Sequence, residues 1–147
     1  MRILFIEPAK SSISMAGEDV FLFEPLALEY VAAGVNDDHE VKILDQRIDD
    51  TVEQTLEAFR PDVVGITGYT VHANRMKALA ERAKAWNPEV LTVAGGHHAT
   101  VAPRDFDCPH VDLVVVGDGV NSFREVIRRF NACEGFDGIP GVWVRTN

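Results

Sequence analysis

Cysteine and basic charge are both scarce in this chain, and each shortage excludes something. Two cysteines, Cys108 and Cys133, in 147 residues make neither a disulfide framework nor a zinc site, and no Cys-x-x-Cys occurs. Fourteen Lys and Arg stand against 23 Asp and Glu, a formal net charge of −9. Such an acidic chain suits nucleic acid poorly, because that binding rests on Lys and Arg neutralising phosphate. There is no polybasic segment to seek anionic lipid, and no apolar run nears the roughly 18 residues that would span a bilayer. The N-terminus, Met1-Arg2-Ile3-Leu4-Phe5-Ile6 and then Glu7-Pro8, is not shaped like a signal peptide and reads as a first strand. A reducing cytoplasm is the simplest setting, with neither nucleic acid nor membrane as partner.

Familiar catalytic signatures are missing too. Without Gly-x-x-x-x-Gly-Lys-Ser/Thr there is no phosphate-cradling loop of a nucleotide hydrolase. No Gly-x-Gly-x-x-Gly follows the first strand, and Gly117-x-Gly119 comes too late for a dinucleotide fingerprint. A phosphoacceptor Asp would end the third strand, which ends instead in Thr67-Gly68. The hydrolase elbow Gly-x-Ser-x-Gly is absent.

What is present is an alternation of short apolar runs and helical segments. Arg2–Ile6, Glu40–Leu44, Asp62–Thr67, Val90–Ala94 and Leu113–Val116 read as strands, apolar enough to be buried on both faces. Pro25–Val35, Thr51–Phe59, Val71–Trp86 and Ser122–Phe130 read as helices, the third with apolar residues at three- and four-residue spacings. This pattern predicts one α/β domain, a three-layer Rossmann-like or flavodoxin-like parallel sheet of order 2-1-3-4-5 with helices on both faces. Residues 1–138 form that domain; 139–147, with the apolar Gly141–Arg145, are a short terminal strand or the start of a linker.

Ligands of such sheets bind beyond the carboxyl ends of the strands. The segments meeting there are Glu7 through Glu24, Asp45-Gln46-Arg47, Gly68-Tyr69-Thr70-Val71-His72, Gly95-Gly96-His97-His98-Ala99-Thr100 and Gly117-Asp118-Gly119-Val120-Asn121. The first is far longer than the usual two to six or so residues, which marks it as functional or mobile. Three exits carry glycine. A tight turn alone can ask for that, but three on one edge point to a groove for a long, flat or tailed ligand.

The order of these motifs resembles a known family. Pro25-Leu26-Ala27-Leu28-Glu29-Tyr30, His39-Glu40-Val41 with Asp45, Pro61-Asp62-Val63-Val64-Gly65-Ile66-Thr67, Ala94-Gly95-Gly96-His97-His98, Val116-Gly117-Asp118-Gly119 and Ile139-Pro140-Gly141 look like the N-terminal cobalamin (B12)-binding domain of B12-dependent radical SAM enzymes. The resemblance covers essentially the whole chain, and it implies a corrin held over the strand ends with its nucleotide tail in a groove after strands 3, 4 and 5. Thr67, Gly68 and Tyr69 then match the turn after strand 3, with Thr70, Val71 and His72 beside it. Gly95 and Gly96 match the glycine pair along the dimethylbenzimidazole, followed by His97 and His98. Gly117, Asp118 and Gly119 match a Gly-Glu-Gly segment, here with Asp for Glu and continued by Val120-Asn121. Asp45 and Arg47 could contact corrin amides, or could form a solvated turn pair.

The resemblance also bears on cobalt. Other cobalamin proteins carry Asp-x-His-x-x-Gly after strand 1, and here the only Asp-x-His, Asp37-Asp38-His39, precedes strand 2. The radical SAM branch typically leaves cobalt without a protein histidine, which puts Tyr69, Val71 and His72 nearest its open lower face. For His72, His97 and His98 a turn histidine bonded to backbone is the plainer reading, and they offer no metal triad.

The Cys-x-x-x-Cys-x-x-Cys run that holds an iron–sulfur cluster is absent. The chain is therefore not catalytic alone: cluster and S-adenosylmethionine would belong to a C-terminal radical SAM domain of a methyltransferase or anaerobic cyclase. Two alternatives remain: a flavodoxin-like sensor or interaction module, and a flavin carrier using Ser11, Ser12 and Ser14.

Overall fold

The computed structural model describes residues 1–10 and 24–145. Six strands form one sheet: β1 (Arg2–Glu7), β2 (Glu40–Asp45), β3 (Val63–Ile66), β4 (Leu91–Ala94), β5 (Leu113–Val115) and β6 (Val142–Val144). Their spatial order is β2-β1-β3-β4-β5-β6. The first five are parallel, in the order that the sequence predicts. The sixth is not. β6 lies antiparallel to β5, Val115 opposite Val142, so the expectation of a wholly parallel sheet is corrected at this edge. Its chain arrives from α5 through Gly138 and Gly141, both at positive φ, which turn it back without a crossover helix.

The helices are α1 (Leu26–Ala33), α2 (Val52–Phe59), α3 (Ala73–Trp86), α4 (Gly96–Val101) and α5 (Gly119–Asn131). Alternation along the strands feeds two cores. Ile3, Phe5, Val63, Val93, Leu113 and Val115 pack with Leu28 and Ala32 of α1 and with Phe123, Val126 and Ile127 of α5. Leu4, Ile6, Val64, Ile66, Ala94 and Val114 pack with α2, α3, α4 and Phe106 on the other face. Right-handed crossovers in this strand order divide the helices in this way. Among the described residues no helix is long and apolar enough to cross a membrane.

Three boundaries differ from expectation at the sheet's carboxyl edge. Thr70–His72 is a single 3-10 turn and α3 begins only at Ala73, because Gly68 sits against Met76 and His72 and leaves no room for a wider turn. Residues 96–101 read as a turn but form α4, which is too short for a helical period to show in the sequence. α5 starts three residues before Ser122, where the Asp118 side chain accepts the Val120 N–H at 3.2 Å and caps the helix.

One row across the sheet decides where a ligand can enter. Phe5, Gly65, Val93 and Leu113 lie side by side on the α1/α5 face, and a Cβ on Gly65 would stand 2.7 Å from the Phe5 ring. Gly65→Ala is therefore expected to destabilise the fold by about 1–3 kcal/mol through overpacking. Urea denaturation measures it, and an unchanged midpoint would mean that the Phe5 ring gives way freely.

Candidate functional site

The glycine gap in that row opens into a slot of about 410 Å³, within the range of small-ligand pockets. Buried Phe5, Gly65, Val93, Val115 and Phe123 make its inner walls, and the first turns of α1 and α5 flank it through Ala27, Leu28, Val31, Gly119 and Val120. Gly117 and Asp118 lie exposed at its mouth with Tyr30, which is 68% exposed. Nearly all of this surface is hydrocarbon or glycine backbone. It suits a flat apolar ring system rather than a charged metabolite.

Each glycine of the edge has its own reason. Gly96 takes φ +89° at the start of α4, and a Cβ there would collide with Thr67 Oγ1 and come within 3.0 Å of the Gly68 nitrogen. Gly117 takes φ +79° and faces open space. Gly95 is different. Its backbone is ordinary extended chain at φ −147°, and an added Cβ would meet nothing nearer than Val115 at 3.9 Å. Only the slot gains from its missing side chain. That open cradle is the observation by which the residues fit a flat tail.

Thr100, quoted in the sequence motif but given no role there, ties two of these turns together. Its hydroxyl donates to the Gly96 carbonyl at 2.9 Å and accepts the Gly117 N–H at 3.0 Å. The β4 and β5 exits thus hold a fixed separation.

Of the residues singled out from the sequence, Thr67, Gly95, Gly96, Gly117, Asp118 and Gly119 line the slot. The others lie around it. Gly68 is buried under the turn after β3, and Tyr69, Thr70 and Val71 are exposed on the rim. His72 is 5% exposed and receives the Tyr69 N–H on Nδ1 at 3.4 Å. His98 is equally buried and bonds through Nε2 to Asp105 Oδ2 at 2.9 Å and through Nδ1 to Thr70 Oγ1 at 3.2 Å. With Asp105 ionised the Nε2–H donates, and a neutral ring then accepts the Thr70 hydroxyl. His97 is exposed, its ring centroid 5.9 Å from that of Tyr69.

Asp45 and Arg47 stand apart, at the end of the edge strand β2. They bind each other, Oδ2 to Nη2 at 2.7 Å, and the guanidinium's hydrogen bonds hold the carboxyl below its ordinary range. Ser11, Ser12 and Ser14 lie outside the described residues. Among the described residues no group of three or more His, Cys, Asp or Glu is arranged to hold a metal.

Sequence reasoning missed the walls themselves. Phe5 and Phe123 read as anonymous core positions, and Gly65 as part of an apolar strand. A glycine inside a strand does signal a close backbone approach, and that was the available clue.

Known proteins share this arrangement. The sequence model of the B12 binding domain matches residues 15–127. An uncharacterized methyltransferase of Pyrococcus horikoshii is 34% identical over 129 residues, 84% of this chain and 28% of that protein. The hopanoid C-3 methylase of Methylococcus capsulatus is 30% identical over 84% of the chain and 25% of its own length. The anaerobic magnesium-protoporphyrin IX monomethyl ester cyclase of Rubrivivax gelatinosus is also 30% identical, over 81% of the chain and 22% of its own length. The chain thus spans about a quarter of the relatives that it matches. In structure it resembles the radical S-adenosylmethionine methyltransferase TsrM of Kitasatospora setae, solved with cobalamin and a [4Fe-4S] cluster. The TM-score is 0.79 at 21% identity, over 99% of this chain and 29% of that one. A match over most of its length places this chain in the B12-binding domain family.

Proposed function

We propose that the chain holds cobalamin over the carboxyl ends of β3, β4 and β5, with the nucleotide tail in the slot and no histidine of this chain on the cobalt. The observation that carries this reading is the slot at Gly95: apolar, lined by glycine backbone and open at the strand ends. Cobalamin, when bound, supplies a cobalt centre able to carry a methyl group. The chain's own residues bind and orient it. Gly95 and Gly117 let the backbone approach a flat ring, Gly65 makes room for the Phe5 ring of the wall, Thr100 and the Asp118 cap fix the turns, and Tyr69 and Val71 present an apolar rim to the corrin. His72 and His98 are held in hydrogen bonds within the edge, which favours a cobalt without a histidine from this chain.

The parent activity belongs to the same proposal. Relatives about four times as long, among them methyltransferases and a cyclase, and a structural neighbour that is a radical S-adenosylmethionine methyltransferase support an enzyme with a radical SAM domain beyond the chain's C-terminal end, which we place in the cytoplasm. That domain would bring the iron–sulfur cluster and S-adenosylmethionine. The full reading frame should then show three closely spaced cysteines beyond residue 147, and a frame without them removes the catalytic partner.

Two measurements test the binding mode. Gly95→Leu fills the slot from a backbone position open to any residue, so the thermal midpoint should move little while hydroxocobalamin binding weakens at least tenfold, about 1.4 kcal/mol. Unchanged affinity in a visible-absorption titration would place the tail elsewhere. The spectrum of bound hydroxocobalamin should be the same in the native chain, His72→Ala and His97→Ala, and a histidine-ligand signature lost in either variant would overturn the open lower face.

A further inference from the structure

The walls of the slot point beyond the cofactor's class to which of its chemical variants is taken, an inference that rests on the tail entering there. Corrinoid cofactors share one ring and differ in the base that ends the nucleotide tail: a benzimidazole in cobalamin, a purine such as adenine in others. The base would meet Phe5, Val93, Val115 and Phe123, which are 2%, 3%, 5% and 3% exposed. The two phenyl rings stand 5.1 Å apart and tilted by 50°, and beside Phe5 in the sheet β3 offers only Gly65.

Among the described residues few polar groups reach that depth. The strands in this row are paired into the sheet, Phe5 beside Gly65 and Gly65 beside Val93, so their backbone groups serve the ladder. The polar side chains of the lining belong elsewhere. Thr67 Oγ1 is packed against Gly96, the Asp118 carboxylate accepts the Val120 N–H, and Tyr30 is at the exposed mouth. A benzimidazole base presents this wall with hydrocarbon edges. Adenine brings an exocyclic amine and further ring nitrogens, which would leave water and find no partner. One such orphaned group is enough for about a tenfold loss of affinity.

We propose that the slot selects corrinoids by their lower base, accepting benzimidazoles and rejecting purines, with Phe5, Val93, Val115 and Phe123 as the specificity-determining residues. The test is a set of binding titrations on the whole chain, read by visible absorption. The ligands are hydroxocobalamin, the corrinoid with unsubstituted benzimidazole, the corrinoid with adenine, and cobinamide, which has no base. Unsubstituted benzimidazole is the fair comparator for adenine because it removes the extra burial of cobalamin's two ring methyls.

The adenine form should bind at least tenfold more weakly than the benzimidazole form. In Val115→Thr, which sets a hydroxyl in the same volume, that ratio should shrink at least threefold. Equal affinities would overturn the selection while leaving the cobalamin reading intact. Cobinamide binding as tightly as cobalamin would overturn it by showing the tail outside the slot. An unchanged ratio in Val115→Thr would overturn its assignment to this wall. Binding of none of the four would overturn both this inference and the function on which it rests.

Discussion

At Gly65 the central strand of the sheet runs so close to the Phe5 ring that a single methyl group would come within 2.7 Å of it. Much else follows from that contact. The ring occupies the space that a side chain on β3 would fill, and it meets Phe123 of α5 at 5.1 Å between ring centroids. A packed interior ordinarily leaves few voids larger than a water. Here a cavity lies between the sheet and the first turns of α1 and α5, with β1 and β4 fixed by pairing on either side of β3.

The carboxyl edge is built on the same economy of side chains. Gly95, Gly96 and Gly117 bring backbone to the surface where most proteins would place side chains, and the cost in chain entropy is offset by cross-links from polar residues. Thr100 joins the turns after β4 and β5, and His98, held by Asp105 on one ring nitrogen, joins α4 to the turn after β3 through Thr70 on the other. The three histidines of the edge thereby come to have different fates. His72 and His98 are buried fastenings, and His97 alone faces outward.

How much of this was legible depends on which residues carried it. The strand order follows from five apolar runs separated by helices, since right-handed crossovers leave few alternatives. Glycine turns at 95–96 and 117–119 were visible because positive φ and close approach leave glycine little competition. The site's walls were not. Phe5 and Phe123 are 118 positions apart in the sequence, and only the packing of α5 on the sheet brings them together. Asp105 became the partner of His98 through α4, a helix that residues 96–101 are too few to announce. For β6 the sequence offered a strand or a linker and not a direction: its turn rests on Gly138 and Gly141, and a short apolar run after Gly138-Ile139-Pro140-Gly141 fits a strand and a linker equally well.

That last strand has a mechanical meaning. The Val116 N–H donates to the Gly141 carbonyl at 2.8 Å, and the Ser122 hydroxyl donates to the carbonyl of Pro140, also at 2.8 Å. One bond grips the residue before Gly117; the other grips the second turn of α5. Any pull on the C-terminal strand is therefore delivered to both ends of the turn that borders the slot. Beside the rigid floor at Gly65, this wall has a handle. Force applied more than twenty residues from Gly117 in sequence would arrive within one peptide unit of it in space.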